Sequence, residues 1–318
     1  MIVVTGGCGF IGSRILEELF NKGYNEKVIV VDYLTDDNVR KISKFPIYDF
    51  IEPKYFLAQS NILTKEAKCI FHQGAITDTT HPEPKEIMSM NFSYTKALIS
   101  NCILNKTRIV YASSAAIYGN GKNGFKEEEK CEAPLNVYGF SKCLIDNWLR
   151  QSNIFSNYNI FGLRYFNVYG MGEGHKEGMS SPIYKFFRDA TSSVPEIKIF
   201  EGSSKFYRDF VAVEDVVKVN LSCAFDEMDS GIYNVGSGKK ISFEKVAQIT
   251  REHFDNSVEI STIDFPGKLK GRYQDNTHAN LVKLRSAGYK DIMIDPEVGI
   301  KKYLLDLDTA RKNEDSIY

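Results

Sequence analysis

Short apolar runs alternate with longer amphipathic stretches through the first half of the chain. IVVT (2–5) is continuously apolar and short, as a strand buried on both faces should be; IGSRILEELFNKG (11–23) has the apolar spacing of a helix that stops at Gly23. KVIVVD (27–32), YFLAQSN (55–61), CIFHQGA (69–75), RIVYASSAAIYG (108–119) and NIFGLRYFNVYG (159–170) read as further strands, each ending in small or polar residues. Helical stretches fall near 84–104 and 136–151, and residues 33–54 are polar and irregular. Strand alternating with helix at this spacing predicts an α/β fold, a doubly wound parallel sheet of Rossmann type covered on both faces. Ligands of such sheets collect beyond the carboxyl ends of the strands, which here carry Thr5-Gly6-Gly7, Asp32, Gly74-Ala75, Ser113-Ser114 and Asn167.

The second half changes character. GMGEGHKEGMSS (170–181) is a glycine-rich polar loop, followed by a helix to about 193 and short strands in EIKIFEG (196–202) and RDFVAV (208–213). GIYNVGSG (231–238), a helix over 242–254, VEISTIDFP (258–266), the loop GKLKGRYQDN (267–276) and two terminal helices complete the chain. This predicts a smaller C-terminal α/β substrate domain, about 169–207 plus 237–318, against a dinucleotide-binding domain of 1–168 plus about 208–236.

Gly6-Gly7-Cys8-Gly9-Phe10-Ile11-Gly12 follows a strand and opens a helix, the context a dinucleotide fingerprint requires. Glycines allow the tight turn and the approach of a pyrophosphate, and the helix N-terminus offers N–H donors and partial positive charge. Asp32 ends the second strand roughly 20 residues on, where a carboxylate holds a ribose diol. Arg40, Lys41, Lys44 and Lys54 follow closely, any of which suits a 2′-phosphate, so these residues leave NAD and NADP both open. Gly74-Ala75 lets a cofactor lie close, and Asn91 fits a hydrogen bond to a strand end or the helix surface.

Tyr138 and Lys142, spaced i,i+4 in NVYGFSK, share a helix face. A phenol beside a fixed ammonium ionises more easily and can exchange a proton with a sugar hydroxyl while a nicotinamide takes the hydride. On this reading Lys142 keeps the phenol's pKa low and holds the nicotinamide ribose. Ser114 at a strand end would orient the phenol and the reacting oxygen, against a plain capping role.

Composition narrows the class further. A formal net charge of −1 gives no global attraction to nucleic acid or anionic membrane. No run approaches the roughly 18 apolar residues of a membrane span, and the N-terminus has no basic n-region, so a cytoplasmic protein is expected. The 6 cysteines are scattered without a C-x-x-C pair and read as buried small hydrophobes; the histidines show no ligand spacing, and no metal is expected.

TGGCGFIGS (5–13), YASSAAIYG (111–119), YGFSK (138–142) and RYFNVYG (164–170) together resemble the extended short-chain dehydrogenase/reductase superfamily of nucleotide-sugar epimerases and dehydratases. GEGHKEGMSS (172–181), IFEGSSKFYRDFVAVEDV (199–216) and FPGKLKGRYQDNTHANLVKLRSAGY (265–289) are similar to its ADP-L-glycero-D-manno-heptose 6-epimerase family. The resemblance implies oxidation at C6″ of ADP-D-glycero-β-D-manno-heptose by bound NADP and return of the hydride to the other face, in the service of lipopolysaccharide biosynthesis. It implies two acid/base groups, Tyr138 and Lys176, and NADP contacts from Gly6, Gly9, Phe10, Ile11, Gly12, Asp32, Tyr33, Gln73, Gly74, Ala75, Asn91, Lys142, Val168 and Lys176, with Arg40 or Lys54 on the 2′-phosphate. For the substrate it implies Ser114, Asn167, Gly178 and Lys185; Phe200, Glu201, Gly202 and Ser203 flanking adenine; Arg208 on the diphosphate; and Tyr273, helped by Arg272. A homo-oligomer is implied too. Met171-Gly172 stands where the family has Pro-Arg, and Gly178 and Lys185 stand where a polar residue and a histidine are expected.

Three other readings compete. A 4-epimerase would use Tyr138 alone and leave Lys176 unexplained. A dehydratase wants an Asp-Glu pair where Ala115-Ala116 stands, and a non-catalytic dinucleotide binder has no need of the Tyr-Lys pair retained here.

Overall fold

The computed structural model describes residues 1–79, 81–265, 274 and 276–313. Its strands are β1 (Ile2–Thr5), β2 (Val28–Val31), β3 (Asp49–Ile51), β4 (Cys69–His72), β5 (Arg108–Ser114), β6 (Ile160–Tyr165), β7 (Asn167–Tyr169), β8 (Glu196–Phe200), β9 (Tyr207–Arg208), β10 (Phe210–Ala212), β11 (Gly231–Val235), β12 (Ile241–Ser242) and β13 (Glu259–Ile263). The helices are α1 (Phe10–Asn21), α2 (Asp36–Ile42), α3 (Pro53–Glu66), α4 (Pro84–Ile87), α5 (Thr95–Asn105), α6 (Val137–Gln151), α7 (Pro182–Ala190), α8 (Val213–Phe225), α9 (Phe243–His253), α10 (Val282–Ser286) and α11 (Pro296–Lys312).

Seven strands form one parallel sheet in the order β11-β6-β5-β4-β1-β2-β3. The order reverses at β1, between β4 and β2, and that switch point opens a crevice at the carboxyl ends of the strands. Alternation along β1 sends Ile2 and Val4 into an apolar layer shared with Leu16 of α1 and Val216 of α8; Val3 faces the opposite layer, with Leu98 of α5 and Ile145 of α6. Both faces are therefore dry, which is why the strands read as unbroken apolar runs. A separate apolar cluster joins the β8–β13 pair to α7, α9 and α11 through Ile183, Ile197, Val246, Ile249 and Leu304.

Four elements differ from the sequence pattern. YFLAQSN belongs to a helix, α3, and the third strand is the short edge segment Asp49–Ile51. Pro53 lies in the first turn of α3, where its missing N–H costs nothing. The buried face of α3 is Phe56, Ser60 and Thr64, at four-residue spacing. Two of those three are hydroxyls, satisfied by the carbonyls of Leu57 at 2.7 Å and Asn61 at 3.4 Å, so the helical period is absent from the apolar pattern. The irregular stretch also contains α2. Helix α8 was not anticipated, because it is buried on most of its circumference and shows no single apolar stripe. Among the described residues no helix is long and apolar enough to cross a membrane, and all 6 cysteines are free and buried.

Candidate active site

The crevice at the switch point is a cleft of about 440 Å³. Its floor is the turn between β1 and α1. Gly6 has φ +67°, and a Cβ there would lie 2.6 Å from the amide nitrogen of Gly74. A Cβ on Gly12 would lie 2.0 Å from the carbonyl oxygen of Gly6, so the helix meets the turn without room for a side chain. Helix α1 opens here with no side-chain cap and no acid in its first turn, leaving its leading N–H groups for an anion. Asp32 accepts from the backbone N–H of Cys8 at 2.8 Å and of Tyr33 at 2.8 Å, which fixes its carboxylate at the rim. Burial and the Asp32 charge push the Cys8 thiol up to about 12, so it is inert. A glycine cradle, an uncapped helix start and a rim carboxylate fit a dinucleotide.

The wall opposite carries the candidate chemistry. Asn136 caps α6 by accepting from Gly139 N at 2.8 Å, which sets Tyr138 and Lys142 in the first two turns of that helix. Tyr138 is hydrogen-bonded to Ser114, whose hydroxyl also accepts from Ala116 N at 3.1 Å. Ser114 therefore both caps the turn after β5 and holds the phenol. Lys142 is buried and donates to the carbonyl of Ala112 at 2.8 Å. Burial lowers its pKa to about 8, with Asp146 opposing the shift. The expectation of a low phenol pKa is corrected here. Burial raises the Tyr138 pKa and the Ser114 bond offsets only part of it, while the Lys142 ammonium is held on the Ala112 carbonyl instead.

Lys176 enters from the 170–181 loop and lines the same cleft, its ammonium 4.9 Å from the ring centre of Phe10. Burial lowers its pKa, Glu173 opposes that shift and Lys185 adds to it. Tyr33, Gln73, Gly74, Ala75, Ile11 and Val168 line the cleft as well.

Other residues singled out from the sequence sit elsewhere. Asn91 grips the loop after β4, accepting from Ile76 N at 2.8 Å and donating to Ile76 O at 2.9 Å, so it shapes the cleft wall from behind. Arg40 does not line the cleft and pairs with Asp37 at 3.2 Å on the exposed side of α2. Lys54 lies 6.0 Å from the ring centre of Tyr55, also off the cleft. Asn167, Gly178, Lys185, Phe200, Glu201, Gly202, Ser203 and Arg208 are outside its lining. Lys185 donates to Gly178 O at 2.6 Å, Arg208 stands 5.4 Å from the ring centre of Phe243, and Asn167 meets Thr277 at 3.4 Å. Phe200 packs edge-on against Phe265 with ring centres 5.5 Å apart. Tyr273 and Arg272 fall outside the described residues.

Lys41, one of the four cations that suit a 2′-phosphate, is on the cleft side of α2. Two lining histidines were not read as site residues. His175 Nδ1 donates to Gly172 O at 3.0 Å beside Lys176. His72 is held between Thr5 at 2.6 Å and Thr95 at 2.9 Å, and burial lowers its pKa to about 3, so it stays neutral. Only His175 had a local signal, its place next to Lys176.

The cradle and the Ser-Tyr-Lys set define a class, and the chain belongs to it: the NAD dependent epimerase/dehydratase family, whose model matches residues 2–236. Within that family the chain is 42% identical over 311 residues to the ADP-L-glycero-D-manno-heptose-6-epimerase of Brachyspira hyodysenteriae, covering 95% of this chain and 96% of that one. Among solved structures, the Helicobacter pylori ADP-L-glycero-D-manno-heptose-6-epimerase superposes with a TM-score of 0.84 at 30% identity, over 96% of each chain. A Thermus thermophilus UDP-glucose 4-epimerase in complex with NAD gives a TM-score of 0.76 at 24% identity, over 97% of this chain and 99% of that one, a likeness of fold.

Proposed function

We propose that the chain interconverts ADP-D-glycero-β-D-manno-heptose and ADP-L-glycero-β-D-manno-heptose by transient oxidation and re-reduction at C6″. The observation that carries this is the entry of Lys176 into the same cleft as Tyr138, from a loop that a single-base 4-epimerase would not need. A dinucleotide in the glycine cradle supplies the hydride acceptor and returns the hydride. The rest falls to the chain. Ser114 holds the phenol of Tyr138, Lys142 braces the strand end through Ala112 O, and Lys176 presents an amine from a separate loop.

The two environments act in opposite senses: burial raises the proton affinity of the phenol and lowers that of the amine. Groups pushed apart in this way divide the acid and base roles. Lys176 Nζ takes a proton from the C6″ hydroxyl of one epimer, and Tyr138 Oη gives one to the carbonyl oxygen as the other epimer forms. Lys176→Ala tests the scheme: we expect 6-epimerisation to fall by about 10²-fold or more with cofactor content unchanged. Turnover of ADP-heptose at the parent rate would rule out a second base at this position.

NADP is the cofactor we assign, because Lys41 lines the cleft and interacts electrostatically with Asp32 and His175. An ammonium there would pair with a 2′-phosphate and offset the rim carboxylate. Lys41→Ala should weaken NADP at least about tenfold relative to NAD, read by competition between the two dinucleotides. Equal weakening of both would remove Lys41 from 2′-phosphate recognition. The division into a dinucleotide domain and a substrate domain, a cytoplasmic setting and assembly as a homo-oligomer complete the proposal. The last is supported by Leu104, Leu135 and Phe140, which stand exposed on or beside α5 and α6.

A further inference from the structure

Glu173 is fully buried, in the loop that carries Lys176. A carboxylate removed from water must find donors, and this one has them at both ends of the loop. Its Oε1 accepts from the hydroxyl of Ser181 at 2.7 Å and weakly from Gly170 N at 3.4 Å; its Oε2 accepts from Ser181 N at 2.5 Å. The phenol of Tyr303, on α11, is hydrogen-bonded to it as well. Its own carbonyl accepts from Lys176 N at 3.0 Å, which starts the single helical turn of residues Gly174–Met179. Gly170 and Gly172 have φ of +141° and +99°, so the entry to the loop depends on glycine conformations and has little rigidity of its own.

We infer that Glu173 is the positioning residue for the second acid/base group: its carboxylate ties both ends of the 170–181 loop to α11 and so holds the Lys176 amine at the cleft. The inference rests on the role of Lys176 given above. An anchor is needed because Lys176 sits on a loop, whereas Tyr138 sits on a capped helix. Lys176 faces Glu173 and His175 from its own loop and Lys185 from α7. Glu173 in turn faces Tyr303, whose other charged or phenolic neighbours are Tyr184 of α7 and Glu214 of α8. Glu173 is therefore the one negative charge acting on the Lys176 ammonium among the groups named.

Glu173→Gln keeps the shape but removes the charge, and its NH2 must face one of the two backbone N–H groups, of Gly170 or Ser181, that the carboxylate accepts from. In the enzyme purified with its own dinucleotide, kcat for ADP-heptose should fall about tenfold or more while KM stays within about twofold, since a displaced amine costs rate rather than binding. The limb of the pH–kcat profile that belongs to Lys176 should move to lower pH, because an ammonium without its anionic neighbour loses its proton more easily. Parent kcat and an unmoved limb in Glu173→Gln would overturn the inference, and so would a change confined to KM. Where Glu173→Gln does not fold, Tyr303→Phe decides: it removes one donor at constant shape, and a kcat lowered about twofold to fivefold at unchanged KM is expected, against parent kcat. Lys176→Ala, run alongside, separates the two levels. If that variant is active the second-base reading itself fails; if it is inactive and Glu173→Gln behaves as the parent, only the anchor fails.

Discussion

Tyr138→Phe should lower kcat for 6-epimerisation by about 10³-fold or more while leaving the melting temperature and the bound dinucleotide as they are. The phenylalanine ring fills the same space at the start of α6, so the Asn136 cap and the helix remain. The hydroxyl that Ser114 holds is lost, and with it the donor and acceptor at the reacting oxygen. Among the described residues no other phenol of comparable placement replaces it. Tyr165 lines the cleft, but its hydroxyl is tied to Gln73 at 3.0 Å and to Asn220 at 3.1 Å. Single-turnover absorbance of the nicotinamide measures the chemical step directly. A variant that still reduces its cofactor at the parent rate with each of the two epimers would remove Tyr138 from the acid/base role.

Asp146→Ala should destabilise the fold by about 3–5 kcal/mol, the cost of removing one of the two carboxylates that hold a buried guanidinium. Asp146 and Arg164 are both fully buried and joined at 2.8 Å from Nε to Oδ2. Asp146 also accepts from Tyr111 at 2.8 Å and from Ser113 at 2.9 Å, and Arg164 reaches Tyr118 at 2.9 Å and Glu132 at 2.5 Å. One carboxylate on α6 thus ties that helix to β5 and β6, directly beneath Ser114 and one turn beyond Lys142. The loss should be visible as a lower urea midpoint at unchanged slope. Replacing the whole cluster by apolar groups of matched volume would cost far less, since the penalty lies in the charge left behind. A midpoint within experimental scatter of the parent would show that Glu132, or water, satisfies Arg164 without Asp146.

The parts of this site that could be read from the sequence are the local ones. The glycine turn, Asp32 and the Tyr138–Lys142 spacing each lie within a single strand-turn-helix unit, so a short window contains their geometry. Which cation of α2 faces the cleft was not legible, because α2 is only 7 residues long and its register decides: Asn38 and Lys41 line the cleft, while Arg40 pairs outward with Asp37. The phenol's proton affinity was misjudged because the capture of Lys142 by Ala112 O depends on where β5 ends against α6. Asp146, Arg164 and Glu173 carried no local pattern at all. Asp146 meets β5 and β6, Arg164 meets α6, Tyr118 and Glu132, and Glu173 meets both ends of its loop and α11, so their burial appears only when these segments are assembled.

In the proposed reaction C6″ is inverted by a hydride that leaves and returns within the cleft. Incubation of the protein with ADP-D-glycero-β-D-manno-heptose in deuterium oxide, followed by NMR of the C6″ position, tests it most directly. Conversion to the L-glycero epimer with hydrogen retained at C6″ is expected. Deuterium at C6″, or a substrate recovered with its configuration unchanged, would contradict it.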